Sequence, residues 1–205
     1  MKNKNIVEQY FRQKEFSKIE IIALIFAGLS LLIAIFMRGG IPIGFPVLFV
    51  CIVVLFICHS YKIKDSEIDS KLKNIMLENN IDYSENVIAC YELRNTVTKK
   101  RKDGKIISPD YFVTEIFLFP DHTIFHVHHI DLIHASVQKN TYDVSCSKQI
   151  ALIEKLIHTK SGVAQTTYLE TNSGFTIPIA PNDYNATILA QKVCNKHSNK
   201  EIITK

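Results

Sequence analysis

The chain comprises 205 residues with a net charge of +4, a pI near 8.7 and 47% hydrophobic residues. So mild a basic excess, with no Trp and no basic stripe interleaved with aromatics, gives no reason to expect a nucleic-acid partner. Cys51, Cys58, Cys90, Cys146 and Cys194 are odd in number, widely spread and without a CxxC pair, so they read as isolated reduced thiols of a cytoplasmic chain.

The hydrophobic content is ordinary for a globular protein but is concentrated in the first third of the chain. After an N-terminal segment, residues 1–18, come two apolar runs, Ile21–Met37 and Gly39–Tyr61, separated only by Arg38. Crossing a bilayer core takes roughly 17–25 helical residues, which each run supplies. Ile21–Phe26 and Val50–Ile57 are apolar all the way round, so a soluble setting would have to cover them on every side, and the remaining chain is too polar to do so. No small-residue cleavage pattern follows the first run, which argues against a signal peptide. Residues 19–59 are therefore read as a transmembrane helical hairpin in the inner membrane. Cys51 and Cys58 lie one heptad apart on its second helix, where they fill space or face a neighbouring helix, and the hairpin is a candidate for self-association.

Orientation follows from basic residues. Lys2, Lys4, Arg12, Lys14 and Lys18 precede the first run and Lys62, Lys64, Lys71 and Lys73 follow the second, while the connection holds only Arg38. Short Lys- and Arg-rich segments stay on the cytoplasmic side, so both termini are expected inside and the Arg38–Pro46 turn outside. Gly39, Gly40, Pro42, Gly44 and Pro46 suit that bend. The span carries almost no polar group at mid-depth that would mark a transport pathway, and Glu20 at its edge reads as interfacial.

Residues 60–80 read as a helical linker, with Ile68, Leu72, Ile75 and Met76 at helical spacing and Asn79-Asn80 as its end. From 81 to 205 the pattern changes to turns and β-branched or aromatic stretches. Asp103-Gly104, Ser161-Gly162, Ser173-Gly174 and Pro120–Thr123 mark turns. Between them lie seven expected strands: Asn86–Thr98, Lys105–Phe119, Thr123–Gln138, Thr141–Cys146, Ala151–Lys160, Gln165–Thr171 and Phe175–Ile179. Pro181-Asn182-Asp183 opens a final helix with Ala186, Leu189, Ala190 and Val193 on one apolar face. The stretch Ser147–His158 also fits a helix by periodicity.

Seven strands followed by one amphipathic helix resembles the pleckstrin-homology and GRAM-like fold, in which a strongly bent sheet is plugged by a C-terminal helix. Tyr142–Ile150 followed by Ile153-Glu154 looks like the strand, polar turn and strand through the middle of such domains, and Gly174–Ile179 entering a helix looks like their last strand and plug. The resemblance covers about 110 residues and is one of element order. It implies an α+β chain: a membrane hairpin, then a PH-like bent β-sheet or barrel with a C-terminal helix.

Two constellations suggest sites. Lys99, Lys100, Arg101, Lys102 and Lys105 surround the Asp103-Gly104 turn and, if the fold is PH-like, sit where lipid-binding domains of that kind place basic residues. Each basic group near an anionic surface contributes about 1 kcal/mol. A charge block of this sort equally serves as a solvated tip. The second is His122, His126, His128, His129 and His134. On a strand, His126 and His128 share a face about 7 Å apart, a spacing two zinc ligands can use, but nothing fixes a third ligand and the simplest account is a half-exposed strand. The same residues could sense acid pH.

No phosphate loop, GxSxG, HExxH or telling carboxylate pair is present, so a non-enzymatic protein without a cofactor is expected. Two function classes fit: a membrane-anchored interaction module whose β domain binds lipid, protein or itself, and a ligand-gated membrane effector of antiviral defence that senses a cyclic nucleotide, with plasmid exclusion or immunity proteins of similar appearance. A deep polar pocket would favour the effector and a filled core the interaction module.

Overall fold

The computed structural model describes residues 5–14, 16–36, 41–82, 86–94, 96–171, 174–180 and 183–198, the side chains of 41–43 excepted. They form two compact units, 1–64 and 65–205.

The first unit is helical: α1 (Ile6–Arg12), α2 (Lys18–Phe36) and α3 (Ile41–Ser60). Asn5 caps α1 by accepting the Val7 N–H at 3.0 Å, and Val7, Tyr10 and Phe11 form its buried stripe. The Gln13 side-chain amide exchanges two hydrogen bonds with the backbone of Ile63, at 2.9 and 3.1 Å. Both α2 and α3 are long and apolar enough to cross a membrane. Pro42, Gly44 and Pro46, read from sequence as part of the turn, lie inside α3, whereas Arg38, Gly39 and Gly40 fall outside the described residues. Proline at the second helical position loses an N–H that has no helical acceptor there, which suits Pro42, whereas Pro46, further in, gives up one helical hydrogen bond.

The seam between the two long helices is made of small groups on α2 and of alternating small residues and leucines on α3. Ala23, Ala27, Ser30 and Ala34 recur at alternating spacings of four and three, as do Gly44, Leu48, Cys51, Leu55 and Cys58 on α3, and these are the less exposed positions of each helix. This is the 3.5-residue period of packed helix pairs, and small side chains let the backbones approach closely. A Cβ on Gly44 would lie 2.7 Å from the Ser30 carbonyl oxygen and 2.8 Å from the Ala34 Cβ. Large side chains such as Ile22, Phe26, Phe49 and Phe56 point outward.

The second unit is α+β. It begins with α4 (Asp65–Glu78), so the stretch read as a linker groups with the β domain. Asn80 takes a left-handed φ of 54° and lets the Ile81 N–H reach the Met76 carbonyl at 2.9 Å, closing the helix. Strands β1 (Val87–Tyr91), β4 (Asp110–Leu118), β5 (His122–Asp131) and β6 (Ser136–Ser145) form one antiparallel sheet in that order. A two-residue hairpin, β2 (Lys99–Lys100) with β3 (Ile106–Ile107), is inserted between the first two. Strands β7 (Ile150–Thr159), β8 (Gly162–Thr171) and β9 (Thr176–Ile179) form a second sheet, and α5 (Tyr184–Ser198) ends the domain.

Several expected boundaries move. The stretch Asn86–Thr98 is strand only to Tyr91, and Lys105–Phe119 divides into β3 and β4. The stretch Thr123–Gln138 breaks at Leu132–Ala135, where the Asp131 carboxylate accepts the N–H groups of Ile133 and His134 at 2.8 and 3.1 Å and builds a turn without Gly or Pro. Ser147–His158, which also fitted a helix, supplies β7, because pairing along all of β8 and burial of Ile150 outweigh its helical period.

The core lies between the two sheets and α5: Ile88, Ile116, Phe125, Val127, Val144, Ile150, Leu169 and Ile177 meet Ala186, Leu189, Ala190 and Val193. Asp183 caps α5 by accepting the Ala186 N–H at 3.0 Å. At its other end Lys196 donates to the carbonyls of Phe119 and His122, and His197 Nδ1 donates to the Lys148 carbonyl at 2.8 Å.

The sheets do not close into a barrel. Hydrogen bonds from the Thr171 N–H to Phe175 and the β8–β9 register place the odd-numbered residues of β9 toward β8. Its outward residues are then Thr176 and Pro178, and Pro178 has no N–H to donate to β1. A β9 of four residues with a proline on its open side ends the ladder.

Replacing Gly44 with Ala should destabilise the hairpin by about 1–3 kcal/mol through overpacking. The same change at Gly28, where an added Cβ meets nothing within 4 Å, should be neutral or slightly stabilising, as Ala favours helix over Gly. Unfolding of the two variants in detergent micelles checks this, and equal effects would contradict the seam.

Candidate functional site

The junction of the two sheets carries a polar knot. Glu92 follows β1 and Arg94 lies two residues on; Arg94 donates to both Glu92 oxygens at 3.1 and 2.9 Å, stacks 4.3 Å over the Tyr168 ring, and reaches Thr176 Oγ1 at 3.0 Å. The fully buried Tyr168 donates its hydroxyl to Glu92 Oε1 at 3.1 Å. Burial raises the Glu92 pKa, but the hydrogen bonds and charge of Arg94 outweigh it and hold the carboxyl below its ordinary value. Burial pushes Tyr168 up. Lys155, on the same face of β7, pairs with Glu170. These groups satisfy one another, so the knot is structural.

Beyond Arg94 the chain runs to Thr98, whose carbonyl accepts the Ser161 hydroxyl at 2.6 Å, and enters the basic hairpin. There the five candidate residues separate. Arg101 makes a bidentate pair with Asp69 of α4, at 2.8 and 2.7 Å, and approaches Asp65 at 3.7 Å. The Asp69 hydrogen bonds raise its pKa. Arg101 is thus committed to α4, while Lys100, Lys102 and Lys105 are exposed and Lys99 is half-buried. The sequence did carry a signal for this pairing, Asp65 and Asp69 one helical turn apart on α4.

A cleft of about 1520 Å³ opens where the sheets fail to close. Its walls come from α4, the β2–β3 hairpin, β1 from Ala89 to Tyr91, the first half of β8 and the start of α5. Cys90 lines it; burial, with Glu92 and Asp183 nearby, pushes that thiol up to about 12, so it is no nucleophile. Periodicity could not reveal this cleft, because its walls are distant in sequence.

The histidines sit on β5. His126 and His128 share a face as the strand period requires, and both face Glu115 of β4, at 3.8 and 3.9 Å. Among the described residues no group of three or more His, Cys, Asp or Glu side chains is arranged to hold a metal ion. His129 is bonded to Asp110 at 2.9 Å and His134 to Asp131. His128 is buried, and neither ring nitrogen has a hydrogen-bond partner.

No family model, curated protein or solved structure matches this chain. The reading of its sites therefore rests on their own chemistry.

Burial lowers the His128 pKa, against an upward pull from Glu115, with Lys139 and His126 adding to the fall. Below about pH 6.5 the unfolded chain takes up a proton that the folded chain refuses. This contribution to stability is complete above that value, falls as pH drops through it, and levels off below the folded pKa. The urea midpoint should drop between pH 7.5 and 5.5, and His128→Phe should flatten the drop. The carboxylates Glu92 and Asp131, whose folded pKa values are lowered, lose their contribution only at more acid pH.

Proposed function

We propose that this protein is a non-enzymatic membrane-anchored interaction module. In this reading α2 and α3 cross the inner membrane, both termini lie in the cytoplasm, and the β domain binds its partners there. One observation carries the proposal: large side chains cover the outer surface of α2 and α3 while mostly small groups meet at their seam, and the β domain has a filled core of its own. A helix pair with its apolar bulk outside suits lipid as solvent.

The domain reading is PH-like. It is supported by four sequential antiparallel strands with a small inserted hairpin, three more in a second sheet, and a C-terminal helix over the core. The cyclic-nucleotide effector reading asked for a deep polar pocket within the domain; the space between these sheets and α5 is packed with apolar side chains, and the open cleft beside it carries more carboxylates than cations, which suits a phosphate poorly. Docking on anionic lipid falls to Lys100, Lys102 and Lys105, since Arg101 is held by α4.

Topology is tested in a cysteine-free full-length background carrying Gly40→Cys or Ser198→Cys. An impermeant maleimide should label the first in intact cells and leave the second until lysis; labelling of the second would overturn the orientation. Lipid docking is tested with residues 65–205, a compact unit. Lys100, Lys102 and Lys105 changed together to Ser should weaken co-sedimentation with phosphatidylserine vesicles by about 1 kcal/mol each. Salt should weaken the wild type in the same way. If the wild type ignores such vesicles at low salt, the lipid role fails.

A further inference from the structure

We infer that the open cleft of the β domain receives an extended, basic segment of a partner protein, which adds a strand to the free edge of β8. The inference rests on the interaction-module reading and names the partner class.

The strand register carries it. The Thr171 N–H bonds to Phe175 and the β8–β9 pairing ends at Thr167 with Ile179, so the odd-numbered residues of β8 turn their backbone groups toward β9. Val163 and Gln165 continue that series past the end of β9, and Asp183 N–H bonding to Ala180 shows the chain turning away there. Among the described residues nothing pairs with the outward N–H and C=O groups of Val163 and Gln165, and both side chains are exposed. The even-numbered residues of β8 pair with β7, so the exposed edge belongs to a ladder that is otherwise complete. Across the cleft, β1 repeats the pattern. Glu92 and Asn86 bond to β4, which leaves the backbone groups of Ala89 pointing away from it. Unpaired edges of this kind are templates for an incoming strand.

Size and charge narrow the occupant. At about 1520 Å³ the cleft exceeds the roughly 300–1,000 Å³ of small-molecule sites, which favours a chain segment over a nucleotide. Five carboxylates line it, Asp69, Asp82, Asp103, Glu154 and Asp183, against three cations; setting aside the Arg101–Asp69 pair leaves four carboxylates against Lys73 and Lys105. The excess is negative and suits lysine or arginine side chains. One wall also carries Thr166, whose hydroxyl is buried without a partner.

The test uses the full chain, isotope-labelled in neutral-lipid nanodiscs, with a short peptide alternating Lys and Val as the probe. Binding should slow amide exchange at Val163 and Gln165 by about tenfold or more, while residues in the middle of the paired β4–β5 ladder stay unchanged. The same peptide with alternate backbone nitrogens methylated, and a Glu-Val counterpart, should not protect them. Gln165→Pro removes one outward donor without touching the β7 ladder and should abolish protection at Val163. Equal protection by the acidic or methylated peptide, or none by the basic one, overturns the inference. The module reading fails separately, through the cysteine labelling above.

Discussion

The β domain depends on one charged group held at the meeting of its two sheets. Arg94 binds Glu92 at the end of β1, covers the buried ring of Tyr168 on β8 and reaches Thr176 on β9. Arg94 itself is partly exposed, and removing it would leave the more buried Glu92 carboxylate without its charge partner. A second tie follows at Thr98, whose carbonyl accepts the Ser161 hydroxyl. That contact sets the β2–β3 hairpin, and the hairpin, through Arg101, holds α4. A sequence of local bonds thus ties elements that share little apolar surface with the main core.

The same arrangement explains why the domain stays open. The apolar core is complete between the sheets and α5 without any contribution from the first half of β8. Pro178 denies β1 a donor on the outward side of β9, and the chain leaves β9 at Ile179 for the start of α5. Closure by hydrogen bonds would need a longer β9 and a different residue at 178. What remains is a gap with strand edges on both sides and acidic groups around it.

The helical unit obeys a separate constraint. With large side chains outside, the two long helices are held by close backbone approach at Gly44 and by a tie at one end, where Glu20 caps α2 through Ser17 and pairs with Lys62 at 2.7 Å. Glu20 reads from sequence as an interfacial residue. Its spacing from Ser17 is a capping box, which was there to be read.

Hydropathy and periodicity by themselves determined the helical pair, the β-rich remainder, the turns at Gly104 and Gly162, and the buried face of α5, because these follow from short-range spacing along one element. They also placed His126 and His128 on one face. The turn at Leu132–Ala135 escaped, since its bend is built by the Asp131 carboxylate rather than by Gly or Pro. Only the tertiary structure decided which basic residue of the hairpin is spent on α4, which strand edges stay unpaired, and that the sheet does not close. Each of those outcomes depends on partners tens of residues away, and a pattern of apolar and polar positions carries no record of which distant side chain will arrive.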